Sequence, residues 1–121
     1  MSVNVKSDTY HQRLAATRAR FIMTLPERLD AIATQVSVKD DPEDRETAVH
    51  KLHRLLHELA GNSAMLDMTD VSSVARKALE IVEHIDHAQR PVAPNEQCEV
   101  LQIVAEARLL SEAHLLEVTG E

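Results

Sequence analysis

Residues 48–66 read AVHKLHRLLHELAGNSAML, and the fold class follows from the spacing of their apolar positions. Ala48, Leu52, Leu55, Leu59, Asn62 and Leu66 recur at alternating steps of four and three. That is the inward seam of a bundle helix. The charged stretch 39–44 contains Asp41-Pro42, a loop followed by a helix start, so this helix is expected over about 42–66.

Four further segments read as helical. The first spans about 7–23, with Leu14, Thr17, Phe21 and Leu25 on one stripe. Thr24, Pro26 and Glu27 then look like a restart, because Thr24 could cap, proline suits an early helical position, and Glu27 completes a capping box. A second helix is therefore expected over about 25–38, burying Leu25, Leu29, Ile32 and Val36. Beyond the 48–66 stretch, Thr69 or Asp70 caps a helix to about residue 88, with Val71, Ala75, Ala78, Val82 and Ile85 as its seam. Pro91 and Pro94 mark a loop. A last helix over about 95–118 presents Val100, Leu101, Val104, Ala107 and Leu110. Short connections favour antiparallel neighbours, so the expected fold is all-α: an antiparallel up-down four-helix bundle with an additional N-terminal helix. Residues 1–121 form one domain.

Composition agrees and narrows the function classes. Hydrophobic residues make up 44% of the 121 positions, with 2 Gly, 4 Pro and only Tyr10 and Phe21 aromatic. Such a core is built from aliphatic side chains, and strand-type alternation is missing. A net charge of −7, with no basic patch interleaved with aromatics, argues against nucleic acid. The single cysteine, Cys98, suits a reducing compartment and reads as a partly buried small hydrophobe. Residues 1–13 are polar, unlike a signal peptide, and no apolar run of about 18 residues exists to span a membrane. The chain is expected to be cytoplasmic.

The seam leaves one residue unexplained. At about 100° per residue, His57 falls at roughly 180° from the seam, and His50 and His53 within about 40° of that outward direction. His57 faces water. Ala60, Gly61 and Ala64 follow it on the same outer face. A glycine in an exposed helix interior costs roughly 1 kcal/mol relative to alanine. No turn is wanted at Gly61, so its use is a close approach by another molecule beside His57. An exposed imidazole is largely uncharged and nucleophilic at neutral pH. It could attack an aspartyl phosphate and hold the phosphoryl group as a phosphoramidate. Phosphoryl transfer needs a metal ion and cationic groups, and this chain has no dedicated set, so a partner would bring them.

The segment His57-Glu58-Leu59-Ala60-Gly61-Asn62-Ser63-Ala64-Met65-Leu66 resembles the signature of histidine-containing phosphotransfer (HPt) domains, His-x-Leu-Lys-Gly followed by small residues and an apolar one. Phe21-x-x-x-Leu25-Pro26-x-Arg28-Leu29 is similar to that family's second helix, and Ala78-Leu79-Glu80 suits its usual Ala-x-x-Leu-Glu ending. The likeness covers about 21–110. It implies a phosphorelay carrier that accepts a phosphoryl group on His57 from a receiver-domain aspartate and passes it to another receiver. Such a chain is a stoichiometric carrier rather than a turnover enzyme. It holds no cofactor of its own, the Mg2+ belonging to the receiver, and a hybrid sensor kinase is a further partner.

Two positions depart from the family pattern: Ala60 stands where the family has lysine, and Asp67 where a glycine is common. Arg54, three residues before His57, could replace the lost charge. Lys77 and Arg76 on the next helix are weaker substitutes. The expected site is therefore His57 as acceptor, with Arg54, Glu58, Ala60, Gly61, Ala64 and Lys77 supporting it or docking the partner.

Other readings compete with parts of this picture. His50, His53 and His57 form a His-x2-His-x3-His run, but no carboxylate or thiolate is evidently committed to it, so no metal site is expected. His50, His53, His84 and His87 read as solvated surface, and Met65 and Met68 as core filler. A monomer is expected, although Val49 and Leu56 read as an outward apolar patch that could support a weak dimer. The alternative function is a docking module that binds a receiver or kinase without accepting phosphate, which Ala60 would favour.

Overall fold

A computed structural model describes residues 2–120, with side chains described over 8–120, so the two terminal residues of the expected domain lie outside it. Among the described residues there are four helices and no strand: α1 (Ser2–Val36), α2 (Ala48–Met65), α3 (Thr69–His87) and α4 (Pro94–Thr119). Each helix packs on its chain neighbours and α1 packs on α4, which closes the square. The contacts set the directions. Gln35 Nε2 near the end of α1 donates to the Ala48 carbonyl at the start of α2 (3.1 Å). Gln97 at the start of α4 reaches the Val36 carbonyl (3.4 Å), and Asp30 meets Arg108 further along (2.7 Å). His114 near the end of α4 meets Asp70 at the start of α3 (3.0 Å). All neighbours are antiparallel, as the short connections predict.

The additional N-terminal helix is not found, because the expected break at Pro26 does not occur. Thr24 does not cap a new helix. Its hydroxyl donates backward to the Phe21 carbonyl (2.8 Å) and accepts from Arg28 Nε (2.9 Å). Phe21, Ile22, Leu25, Leu29, Ile32 and Val36 form one buried stripe on both sides of the proline. Burying each such side chain is worth about 1.5–3 kcal/mol. A proline inside a helix costs about 3 kcal/mol. Continuity wins.

The start of α2 differs as well. Residues 42–47 are not helical, because the local aspartates satisfy the backbone in other ways. Asp41 accepts from the Glu43 N–H, Asp44 from the Glu46 N–H and Asp40 from the Ala48 N–H, while Thr47 caps by accepting from the His50 N–H. The whole expected seam of α3 is buried, as is that of residues 25–36. In α4 Val100, Val104 and Ala107 are buried, whereas Leu101 and Cys98 are exposed.

α4 opens on a strong local device. Glu96 accepts a two-pronged interaction from Arg90 (2.7 and 2.8 Å) and the Ala93 N–H (2.9 Å). The Arg90 hydrogen bond first, and the Ala93 N–H second, lower the Glu96 pKa from 4.5 to about 2. A carboxylate with a depressed folded-state pKa adds stability above its unfolded value and loses it as pH falls through the folded one. The stability gap between wild type and Glu96→Gln is therefore expected to be full above pH 4.5 and to shrink towards pH 2. Urea unfolding of both proteins across that range checks this, and a gap that stays constant would refute it.

Candidate functional site

His57 lies on α2 and is exposed, and it makes no hydrogen bond or ion pair among the described residues. The helical phase that predicted this needs correction. α2 buries Val49, Leu52, Leu56, Leu59, Ala60 and Ser63, while Leu55 and Leu66 are only half-buried. The centre of the buried face is rotated by about 60° from the expected seam, which puts His57 at about 120° from it. The physical reason is that α2 packs chiefly on α3. The two backbones approach where small residues meet, and Ser72 Oγ donates to the Ala60 carbonyl (3.3 Å). Val49 and Leu56 are consequently core residues, and the expected outward patch does not exist.

The rotation divides the predicted site residues. Gly61 and Ala64 are exposed beside His57, and a Cβ built on Gly61 would meet nothing within 4 Å. Gly61 is an ordinary helical residue here, so its side of α2 is open to an approaching surface. Ala60 is not on that face; only 4% exposed, it belongs to the α2–α3 interface. Met65, expected as core filler, is 80% exposed and extends the open face past Ala64, whereas Met68 is buried. Glu58 lies on the other flank, where with Glu27, Arg28 and Leu55 it lines a shallow groove between α1 and α2.

Two of the three candidate cations are engaged elsewhere. Arg54 reaches back with Nε and Nη2 to the Glu46 carboxylate (3.2 and 3.0 Å). This hydrogen bond raises the Arg54 pKa and lowers that of Glu46. On α3, the register set by Ser72–Ala60 and by Asp86 with His50 and His53 brings Lys77 level with His57. The Lys77 ammonium pairs with Glu106 of α4 (3.4 Å), and both side chains are at least half exposed. Arg76 is exposed.

Two neighbouring features were hidden from sequence reasoning. The first is Asp86 on α3, whose Oδ2 accepts from Nδ1 of His50 (2.9 Å) and of His53 (2.7 Å). Burial pushes the Asp86 carboxyl up, but the hydrogen bonds of His53 and His50 outweigh it and leave its pKa lowered. Nothing in the linear spacing pairs residue 86 with residues 50 and 53.

The second is the end of α2. Asp67 has φ 58°, the Met68 N–H bonds the Ser63 carbonyl (2.8 Å), and the Asp67 N–H bonds that of Ala64 (3.2 Å). This is a Schellman ending, whose left-handed position favours glycine. The residue in the family's glycine position thus carries the backbone conformation that glycine suits. Asp67→Gly is expected to stabilise the fold by about 0.5–1 kcal/mol. A thermal melt should show the midpoint rising by a few degrees, and an unchanged or lower midpoint would mean that the aspartate side chain contributes something glycine cannot.

The family model for the Hpt domain matches residues 16–114. The match covers well over half of the chain, and the chain belongs to the histidine-containing phosphotransfer family. Its general role is therefore histidine phosphotransfer in a phosphorelay, and receiver domains are its kind of partner. Neither the search of curated proteins nor the search of solved structures returned a match. Among the described residues, no helix is long and apolar enough to cross a membrane.

Proposed function

We propose that His57 accepts a phosphoryl group from the aspartyl phosphate of one response-regulator receiver domain and passes it to a second receiver. The observation that carries this reading is an exposed, unpartnered imidazole at the motif's histidine position, beside the open surface at Gly61. In the accepting step an imidazole nitrogen attacks phosphorus. A P–N bond forms, the acyl-phosphate P–O bond breaks, and the receiver aspartate leaves as a carboxylate. The reverse step regenerates free His57, so the chain is a stoichiometric carrier and not a turnover enzyme. The receiver supplies the Mg2+ and cationic groups that stabilise the transferring phosphoryl. Gly61, Ala64 and Met65 form the floor on which the receiver sits, and a hybrid sensor kinase with its own receiver is a fitting donor. The chain acts in the cytoplasm, as a monomer.

A second reading is favoured by the cations. Ala60 replaces the family lysine, Arg54 is held by Glu46 and Lys77 by Glu106, so no cation is committed to His57. A chain of that kind would dock a receiver without taking its phosphate. Incubation with a panel of phosphorylated receivers and kinase–receiver proteins separates the two. Acid-labile, alkali-stable phosphate on this chain supports the carrier, and receiver binding without label from any donor supports the docking module.

A further inference from the structure

The geometry points to a binding site for a borderline divalent transition-metal ion, with Zn2+ the natural probe, formed by His50 and His53 of α2 and Asp86 of α3. It is independent of phosphoryl acceptance on His57. One donor atom from each of the three residues lies within 4.8 Å of the others. Both imidazoles aim Nδ1 at the same carboxylate oxygen, at 2.9 and 2.7 Å, and their rings stand 5.9 Å apart at 84°. Two histidines one turn apart with a carboxylate from a facing helix make a three-ligand set that leaves a fourth position for water.

Bonds of about 2.0 Å at tetrahedral angles put ligand atoms about 3.3 Å apart, so the two nitrogen–oxygen separations of 2.9 and 2.7 Å need to open by only about half an ångström around an ion. Two nitrogens and one oxygen suit zinc and its neighbours rather than Mg2+ or Ca2+, which take oxygen sets. The charge fits as well, since a dication replaces protons shared with a single carboxylate.

The surroundings supply an outer shell. With Nδ1 on the metal, the proton of neutral His50 sits on Nε2, which faces Glu46 Oε2 at 3.7 Å. Glu46 is itself held by the Arg54 fork (3.0 and 3.2 Å). A carboxylate that hydrogen-bonds the second nitrogen of a ligating imidazole is the usual support of histidine–metal sites, and Glu46 would take that role by closing from 3.7 Å. Access is open, because His50 is 53% exposed while His53 and Asp86 are partly covered, at 26% and 18%.

The test is titration of the full chain with Zn2+ against a chromogenic chelator, with Co2+ absorption reporting the coordination. The wild type is expected to bind one equivalent, and Co2+ to give the visible bands of a tetrahedral nitrogen–oxygen site. Affinity should fall at least tenfold in His53→Ala and in Asp86→Asn, and about tenfold in the outer-shell variant Glu46→Gln. His50→Ala, at the most exposed ligand, guards against a folding defect, with circular dichroism verifying each variant. His84→Ala should bind like wild type. No saturable equivalent in the wild type, or undiminished affinity in folded His50→Ala or Asp86→Asn, overturns the site.

Discussion

His57→Gln is expected to carry no acid-labile phosphate after incubation with any receiver that labels the wild type, while its unfolding midpoint stays in place. Loss of label should be complete, because glutamine cannot form the phosphoramidate. Stability should change by no more than about 0.5 kcal/mol, the usual range for surface substitutions away from special features. His57 is exposed and bonds nothing among the described residues, so nothing of the fold is lost with it. The other histidines make poorer acceptors for reasons that can be stated. His50 and His53 share the Asp86 carboxylate, and His114 is buried against Asp70. His11, His84 and His87 are exposed, but they lie outside the stretch bearing the motif and Gly61. Label that persists on His57→Gln would move the acceptor to another residue and end the proposal. A variant that loses both label and fold would contradict the exposed placement of the ring.

The second large effect is one of stability, and its sign distinguishes a continuous α1 from a broken one. Pro26→Ala is expected to stabilise the protein by about 1–2 kcal/mol. In a continuous helix the substitution restores an N–H that can bond the Ile22 carbonyl and removes a ring that crowds it, a gain of up to about 3 kcal/mol. Against this stand the unfolded-state entropy that proline removes, about 0.4–1 kcal/mol, and the packing of a half-buried ring. If a helix instead began at residue 25, proline would already be well placed, and alanine would be neutral or destabilising. Urea unfolding gives the answer directly: a higher midpoint with an unchanged slope matches the helix seen here, and a lower midpoint would restore the break.

Pro26 also marks where local signals and tertiary structure part. Thr24, Pro26 and Glu27 form a sound helix-start pattern, and it loses to a buried stripe running from Phe21 to Val36. The same competition appears on α2. Its existence, its exposed His57 and its open Gly61 were legible from spacing and residue type alone. Its rotation was not, because the seam of Ala48, Leu52, Leu55, Leu59 and Leu66 is as apolar as the face actually buried. The choice fell to α3, whose small, buried Ser72 meets the α2 backbone at the Ala60 carbonyl. Val49, Leu56 and Ala60 went inside as a result, and Met65 was turned out.

By itself, the sequence determined the all-helical class, the seams of α3 and of residues 25–36, the existence though not the length of the loop before α2, the loop around Pro91, and the residue that faces water within an Hpt motif. Those properties depend on periodicity and on residues close together in the chain. Tertiary structure alone decided that α1 is one helix, which flank of α2 faces α3, and that Arg54 and Lys77 are drawn to Glu46 and Glu106. It also decided that Asp86 meets His50 and His53. Apart from Arg54, which is drawn to a residue of the loop before its own helix, these follow from which faces of different helices pack closest, and the spacing within one helix holds no record of its partner's register.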